Sequence, residues 1–362
     1  MKLTAKTVIL KDLINKAIKA STNNKMIPLT SFLSIELSAG RLSVTSSDAV
    51  NFFTVFTDDV SGEDFNVVVK GDLFSKIVSK TSSDTITLDL DTNTKLLSFK
   101  GNGNYKIDLP LDEEGELIKF PKVNLDTDAK YHGTIKLSTI KSAILANKPS
   151  LAITAEAPYL MNYLCTPDSI ISADSYNICI NSVKTFDHNV LLTPMVFDLL
   201  SMFNSDDIEY SATDRVVIFT SPNMRLYAKF APGMDEYPAD KIGAFGEITF
   251  PSKCAVSKNA LVNIVDRLSL FIKDYDVNGV RLTFTNEGIQ ITSTNDSATE
   301  LLPYLESENF ENYTCLVGVD TIRKQVQART GDVVKMEYGI ENAIKLVDND
   351  IIQIVALLED SE

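Results

Sequence analysis

Alternating apolar and polar residues recur along the chain in three similar blocks. Each block holds an alternating segment, a short turn, a second alternating segment, and then a step of hydroxyl, small and carboxylate or amide residues. The blocks lie at 33–52, 159–180 and 280–299. Their aligned polar residues recur at intervals of 126 and 121 positions: Asp48, Asp174 and Asn295. Alternation with short turns predicts half-buried strands that pair antiparallel.

Segments with a helical period repeat in step with these blocks. One set lies at 11–22, 137–147 and 257–272, and the other at 70–80, 193–204 and 319–329. In the first segment an apolar arc is formed by Leu13, Ile14, Ala17 and Ile18, and in the segment 257–272 by Leu261, Ile264, Val265 and Leu268. Ser138 and Ser257 lie near helix starts, as N-caps would, Asp320 is a further predicted N-cap, and Pro194 suits a first helical turn.

Each third of the chain therefore predicts an α+β unit with two helices on one side of antiparallel sheets. A chain of 362 residues is too long for one ordinary core. The predicted domains are 1–123, 124–249 and 250–362. The segments 115–133 and 239–253 contain glycine and proline and interrupt the alternation, so they predict linkers.

The composition predicts a soluble globular protein, with 44% hydrophobic and 23% charged residues. No apolar run reaches the roughly 20 residues that a membrane span needs, and the N-terminal segment does not resemble a signal peptide. The four cysteines are widely spaced, which argues against a disulfide scaffold or a zinc site and favours a reducing cytoplasm.

Catalytic and cofactor signatures are weak throughout the sequence. His132 and His188, the two histidines, fall in predicted linker or loop segments with no nucleophile motif nearby. The segment 89–100 begins like a calcium loop but lacks its glycine and its final glutamate. The segment 101–104, "GNGN", is rich in glycine but does not lie between a predicted strand and a predicted helix, so it is not a phosphate-binding loop. The sequence therefore predicts a protein that is not an enzyme and needs no metal or cofactor.

Positive charge is concentrated in the helical segments, although the net charge of the chain is −15. Six helical windows, at 11–25, 70–80, 136–148, 193–204, 257–273 and 319–329, hold 16 basic and 5 acidic residues. Their share by length would be about seven basic and eleven acidic residues. The segment 321–330 has Arg323, Lys324 and Arg329 and no carboxylate, whereas 193–204 has no base at all.

Such a distribution favours contact with a phosphate backbone, because phosphates attract Lys and Arg and release counterions when neutralised. No zinc-finger spacing or RNP-type aromatic motif could read bases, so the predicted contact is independent of sequence. For a single lysine-bearing helix the alternative is a solvated surface. The bias recurs in five of the six windows, which argues against that alternative for the set.

Several segments, in this order and spacing, resemble the bacterial sliding clamp, the β subunit of DNA polymerase III. They are "PYLMNYLCTPDSIISADSYNICI" (158–180), "GMDEYPAD" (233–240), "NGVRLTFTNEGIQITS" (278–293) and "IIQIVALL" (351–358). The resemblance covers the whole chain. It implies three repeated clamp domains with sheets outside and two helices each inside, closing as a head-to-tail homodimer into a ring around duplex DNA. The divergence is compatible with a phage or mobile-element origin.

The resemblance also implies where the partners bind: double-stranded DNA, the DNA polymerase, the clamp loader and a second copy of the chain. Lys25 matches a DNA-contacting position of the family, and the helix bases extend this set. The predicted DNA-binding residues are Lys16, Lys19, Lys25, Lys76, Lys80, Lys141, Lys148, Arg267, Arg323 and Lys324.

A hydrophobic cleft of the family, where a short motif of polymerases and loader docks, has matching positions here. They are Leu160, Ala173, Ser175, Tyr176, Asn177, Ile178, Phe245, Val355, Ala356, Leu357 and Leu358. The stretches "ADSYNI" and "VALLEDSE" depart from the family pattern and make the rim less basic, so the docking motif is expected to differ. For Ile178 and Leu357 the alternative is a plain core position.

The ring interface is expected at Tyr105 and Ile107 on a first-domain strand and at Phe271 and Ile272 at a third-domain helix end. A runner-up function remains open at this point, in which the chain is a clamp-fold interaction protein that has lost DNA tethering.

Overall fold

The computed structural model describes residues 1–123, 129–154, 156–273 and 276–359. The predicted boundary between the first and second domains falls on 124–128 and lies outside the described residues. No helix in the described ranges is both long and apolar enough to cross a membrane.

Seven α-helices occur in the described residues. They are α1 (Thr7–Ala17), α2 (Gly71–Lys80), α3 (Leu137–Asn147), α4 (Pro194–Leu200), α5 (Ala239–Gly246), α6 (Lys258–Ser269) and α7 (Val319–Gln327). The prediction for 137–147 is confirmed in full, and that for 70–80 within one residue. Helix α1 begins four residues earlier than predicted, and α4 ends four residues earlier.

The strands of the first half are β1 (Lys2–Lys6), β2 (Phe32–Ser38), β3 (Arg41–Ser47), β4 (Phe52–Thr57), β5 (Val60–Gly62), β6 (Phe65–Lys70), β7 (Thr85–Asp91), β8 (Leu96–Lys100), β9 (Asn104–Asp108), β10 (Tyr131–Lys136), β11 (Tyr163–Cys165), β12 (Ser169–Ala173) and β13 (Asn177–Ser182). Those of the second half are β14 (Val190–Leu192), β15 (Asp207–Ala212), β16 (Val216–Ser221), β17 (Met224–Lys229), β18 (Ser252–Ser257), β19 (Gly279–Phe284), β20 (Gly288–Ser293), β21 (Thr299–Pro303), β22 (Glu306–Glu308), β23 (Tyr313–Gly318), β24 (Val333–Ile340), β25 (Ala343–Asp348) and β26 (Ile351–Ala356).

These elements form two compact units, residues 1–137 with 195–230 and residues 138–194 with 231–362. The predicted second domain is shared between the two units. The reason is sheet continuity, because its strands extend the sheets of both neighbouring segments through the β17–β4 and β13–β26 pairs. The boundaries of three domains stay a prediction.

The first unit contains two antiparallel sheets. The five-stranded sheet has the order β5-β1-β7-β8-β9, and the eight-stranded sheet has the order β10-β15-β16-β17-β4-β3-β2-β6. Helix α1 packs against α2 and against β3 and β4. The predicted apolar arc buries Leu13, Ile14 and Ala17. Each fully buried Leu or Ile side chain contributes about 1.5–3 kcal/mol, so this arc fixes which side of α1 faces solvent.

The second unit likewise contains two antiparallel sheets. The nine-stranded sheet has the order β14-β11-β12-β13-β26-β25-β24-β18-β22, and the four-stranded sheet has the order β21-β20-β19-β23. Helices α6 and α7 pack together, and α6 lies on β19, β20 and β21. The predicted arc of α6 is buried, and Ser257 caps this helix by accepting a hydrogen bond from the Ala260 backbone N–H.

The repeated polar step has a repeated hydrogen-bonding role. The Asp48 carboxylate accepts bonds from the backbone N–H and side-chain amide of Asn51, and Asp174 does the same for Asn177. Asn295 instead donates its amide to the Phe271 carbonyl at 2.6 Å. The first two blocks therefore share one turn, and the third uses an amide because it closes onto a different segment.

The β2–β3 turn is a tight hairpin with strain at one residue. Ala39 and Gly40 have φ of +49° and +80°, a two-residue combination that normally selects Asn-Gly. Alanine is disfavoured there by its Cβ. The Ala39 N–H donates to the Asp64 carboxylate at 3.1 Å, which partly offsets this cost.

Three expectations about local structure are wrong. Ser138 is not an N-cap, because α3 begins one residue earlier, at Leu137. The segment 239–253, predicted as a linker, contains helix α5, which glycines and its short length concealed. Asp320 does not cap α7: the N-cap is Gly318, and the Asp320 carboxylate instead pairs with Arg323 one turn along the helix.

Candidate functional site

Six of the ten predicted DNA-binding cations project into solvent without an ion pair. Among the described residues, no carboxylate lies within salt-bridge distance of Lys19, Lys25, Lys80, Lys141, Lys148 or Lys324, and all six are exposed. Five of them lie on α-helices or 3-10 turns, as their sequence windows predicted, and Lys25 lies in the loop between the 3-10 turns 18–20 and 28–31. An ammonium group in this position can contact a phosphate without leaving another partner.

The other four cations are held by neighbouring carboxylates, which the sequence analysis did not foresee. Lys16 pairs with Asp12 and Lys76 with Asp72, each at 2.7 Å across one helical turn. Arg323 pairs with Asp266 at 3.3 Å and also with Asp320. These pairs reduce the positive charge that the helices offer.

Arg267 is held most firmly among them. Its guanidinium reaches both carboxylate oxygens of Glu300, at 2.8 Å and 2.5 Å. This hydrogen bonding lowers the pKa of the Glu300 carboxyl below its ordinary value. A bidentate pair of this kind is strong and specific in geometry. Of the ten predicted contacts, Arg267 should therefore be the one that exchanges its carboxylate for a DNA phosphate least easily.

Arg329, which closes the carboxylate-free segment 321–330, is not a surface cation. It is 2% exposed, donates to the Gln353 side chain at 2.7 Å and lies 3.9 Å from the Asp348 carboxylate. Burial lowers its pKa. The positive charge of Arg329 therefore serves a buried contact with Gln353 on β26 and Asp348 on β25, and it is not offered to solvent.

Buried amides join the end of α3 to α7 and β26. Gln325 on α7 donates to the Ser150 hydroxyl at 2.8 Å, and Gln353 on β26 donates to the Ala146 carbonyl at 3.2 Å. These bonds fix Lys148, in the 3-10 turn 148–150, on an element that packs against the helix of Lys324. Two of the unpaired cations are thus placed on neighbouring elements by the fold.

An apolar cleft of about 460 Å³ lies in the second unit. Its floor comes from adjacent strands, because Ile178 on β13 is paired with Ile354 on β26. Helix α5 and the segment after it form one side. Tyr176 is 72% exposed and Phe245 is 50% exposed, so aromatic surface is open to solvent at this site. A concave apolar surface with a few polar groups is typical of a binding site.

Eight of the eleven residues predicted for the cleft line it: Leu160, Ala173, Ser175, Tyr176, Asn177, Ile178, Phe245 and Ala356. The other three lie elsewhere. Side chains alternate along β26, so Val355 points into the core while Ile354 and Ala356 face the cleft. Leu357 packs against that core, and the Leu358 N–H donates to Leu316 on β23.

Eleven further residues line the cleft and were missed: Asp174, Pro238, Lys241, Ile242, Ile248, Phe250, Ile340, Glu341, Asn342, Ala343 and Ile354. Five of them lie in or beside α5, which was predicted as a linker. The spacing of Ile242 and Phe245, three positions apart on one helical face, was the available signal.

The polar groups of the cleft include one cation and two carboxylates. Asp174 is engaged by the backbone of its own turn. Lys241 and Glu341 are exposed, and within the described ranges neither lies at salt-bridge distance from an opposite charge. The lining thus offers one free charge of each sign beside an apolar floor.

Comparisons with known proteins agree with this architecture. Residues 1–116 match the model of the DNA polymerase III beta subunit, N-terminal domain. The beta sliding clamp of Staphylococcus epidermidis is 20% identical over 378 aligned residues, covering 98% of this chain and 92% of the relative. That of Staphylococcus aureus is 20% identical over 365 residues, covering 94% and 89%.

Solved structures extend the match over the whole fold. The sliding clamp of Bacillus subtilis has a TM-score of 0.84 at 17% identity, with 100% of each chain covered. The DNA polymerase III beta chain of Streptococcus pneumoniae has a TM-score of 0.87 at 13% identity, covering 99% and 100%. The first 116 residues therefore match the N-terminal domain of this family, and the whole chain has the fold of these sliding clamps.

The residues expected at the clamp ring interface differ in exposure. Tyr105 and Phe271 are exposed at 44% and 50%. Ile107 is buried and paired in register with Leu97, and Ile272 packs against the core beside α6. Tyr105 and Phe271 therefore have apolar surface open to solvent, whereas Ile107 supports its strand from within, and the interface stays a prediction.

Proposed function

We propose that this chain acts as a DNA sliding clamp. Two copies close head to tail into a ring around duplex DNA, and each cleft holds the replicative polymerase or the clamp loader. The observation that carries the proposal is that a chain with the sliding-clamp fold combines unpaired cations on helical elements with an apolar cleft of about 460 Å³. The clamp itself performs no catalysis, and it works in the bacterial or host-cell cytoplasm.

Electrostatics supports DNA inside the ring. The helical windows have 11 more basic than acidic residues, while the rest of the chain has 26 more acidic than basic residues. An acidic outer surface repels phosphates and basic helices attract them. Because the contact is with backbone phosphates, the clamp holds duplex DNA of any sequence.

Encirclement is tested by topology. The clamp is loaded onto nicked circular DNA with its cognate loader and ATP, and retention is then compared before and after a restriction enzyme cuts the circle. Retention on the circle with release from the cut DNA supports a ring. Equal loss from both forms contradicts it.

The head-to-tail contact is tested by sedimentation at micromolar concentration. Phe271→Asp should shift the dimer to monomer, because it places a charge where apolar surface is expected to be covered. Leu305→Asp is the matched control, since Leu305 is similarly exposed at 57% but is not an expected interface residue. A stable monomer of the unaltered chain would count against the ring.

The cleft is tested with 15-residue peptides that tile the replicative polymerase encoded in the same genome. One peptide should bind with a Kd in the micromolar range, and Phe245→Ala should weaken it. Leu301→Ala, which removes another exposed side chain away from the cleft, should not. Loss of binding in both variants, or in neither, would argue against the cleft as the docking site.

The runner-up, a clamp-fold interaction protein without DNA tethering, has its own support. Four of the ten predicted cations are already paired with carboxylates, and α4 has no basic residue. The topology experiment separates the two functions, because an interaction protein would bind its peptide and yet fail to stay on circular DNA.

A further inference from the structure

Lys345 is a buried cation beneath the wall of the cleft. It lies on β25, is 8% exposed and donates from Nζ to the backbone carbonyls of Gly246 at 2.9 Å and Ile248 at 3.2 Å. Burying an ammonium group is costly unless it is paired and hydrogen-bonded. These bonds to the end of α5 supply the hydrogen bonds that such a buried cation needs.

Counter-charge for Lys345 comes from Glu337 on the neighbouring strand β24. The Glu337 carboxylate lies 3.6 Å from Lys345 Nζ and 3.0 Å from Lys253 Nζ. The Phe250 ring lies 5.8 Å below the ammonium. The cation thus has a carboxylate on the neighbouring strand and an aromatic ring in the segment after α5, and it donates its hydrogen bonds to the end of α5.

Helix α5 depends on such contacts. It has eight residues, and isolated helices shorter than about 12 residues are marginal in water. The carbonyls of Gly243, Ala244 and Phe245 accept bonds from the backbone of Glu247 and Ile248, whereas the carbonyl of Gly246, the last residue of the helix, accepts from Lys345. A cation at a helix C-terminus also complements the helix dipole. Of the two carbonyls bound by Lys345, that of Gly246 directly follows Phe245 and the other belongs to Ile248 itself, and both Phe245 and Ile248 line the cleft.

The start of α5 is anchored separately. Tyr237 is buried, and its hydroxyl lies 3.4 Å from the Ile171 carbonyl. Gly246 lies so close to β13 that an added Cβ would stand 2.8 Å from Ile180 Cδ1. Packing therefore brings the helix close to the sheet, while Lys345 is the side chain that bonds its C-terminal carbonyls.

We propose that Lys345 is a positioning residue for the cleft. It holds the end of α5 against the sheet, so that Phe245 and Ile248 form a preorganised wall before a peptide arrives. The inference rests on the proposed function, in that the cleft binds a partner peptide. If the wall is formed only part of the time, the apparent Kd rises by the reciprocal of the formed fraction. Loss of the anchor should therefore weaken peptide binding without touching the peptide.

The test compares Lys345→Met with Lys258→Met in the full chain. Lys258 makes the same kind of contact elsewhere, from its Nζ to the Gln327 carbonyl at 3.2 Å and to the Arg329 carbonyl at the end of α7. Hydrogen exchange without any ligand should show the amides of 242–248 exchanging about tenfold faster in Lys345→Met and unchanged in Lys258→Met. The tightest tiled polymerase peptide should bind Lys345→Met about tenfold more weakly and Lys258→Met normally.

Lys345→Arg keeps a cation and hydrogen-bond donors, and it should recover part of both the protection and the affinity. This variant also decides the question if Lys345→Met fails to fold. Unchanged exchange at 242–248, or equal losses of affinity in the Lys345 and Lys258 variants, would overturn the inference. If no peptide binds the unaltered chain, the proposed cleft function fails, and the exchange measurement still decides whether Lys345 anchors α5.

Discussion

Ion pairing divides the predicted DNA contacts into two sets that can be removed separately. One variant replaces four unpaired cations by alanine: Lys19, Lys80, Lys141 and Lys324. The other replaces the four paired ones: Lys16, Lys76, Arg267 and Arg323. Three members of each set lie within four residues of a member of the other, so both sets sample nearly the same helical surface.

The magnitude follows from counterion release. Each phosphate neutralised contributes about 0.9 to the slope of log affinity against log salt. Four lost contacts on one subunit would lower the slope by up to about 3.6, so the salt effect between 50 and 200 mM would shrink by roughly a hundredfold for each subunit that contacts the duplex. A paired cation must first leave its carboxylate, which then stands near the phosphate. We therefore expect the paired set to change the slope by less than half as much.

Fluorescence anisotropy with a short linear duplex, titrated at several KCl concentrations, measures both slopes. Circular dichroism and sedimentation serve as controls for fold and dimer. Equal slopes for both variants, or a larger effect of the paired set, would refute the reasoning that pairing in the free chain limits contact with DNA.

Three further outcomes are expected. Ala39→Gly should stabilise the chain by up to about 1 kcal/mol in urea unfolding, because glycine tolerates the left-handed backbone at this turn; a loss of stability would contradict the strain. Asn147→Ala should destabilise the chain by about 1–3 kcal/mol, because the Asn147 amide donates to the buried carbonyls of Ile170 and Cys179 and the substitution removes this donor. An unchanged midpoint of urea unfolding would show that these bonds are dispensable. Burial raises the pKa of the Cys179, Cys254 and Cys315 thiols to about 12, so iodoacetamide should leave these cysteines unlabelled in the native chain from pH 7 to 9. Rapid labelling of the native chain, measured by mass spectrometry, would be inconsistent with that burial.

Periodicity predicted the parts of the fold that depend on local sequence. The helices at 71–80, 137–147 and 258–269 and the hairpins of the three blocks follow from residues close to one another in the chain. Helix α5 was not predicted in the same way, because it is only eight residues long and the side chains that bond its end and anchor its start, Lys345 and Tyr237, lie outside it.

The candidate site was predictable to a similar degree. The family resemblance identified eight lining residues of the cleft. It also named the consecutive positions 355–358, but side chains alternate along β26, so Val355 lies in the core and does not line the cleft. The charge count could not foresee that Arg267 is paired with Glu300, 33 positions away, or that Arg329 is buried against Gln353. Long-range partners of charged side chains depend on the folded sheets, and local patterns do not contain them.

The floor of the cleft crosses a seam between chain segments that are far apart in sequence. Ile178 and Ile354 are cross-strand neighbours, so an occupant that covers one also covers the other. An occupant of the cleft would thus contact both strands at once and stabilise their pairing. If a bound partner pulls on the chain through this cleft, the pulling force acts on the same β13–β26 pair, so the two strands should separate at a higher force when the cleft is filled than when it is empty.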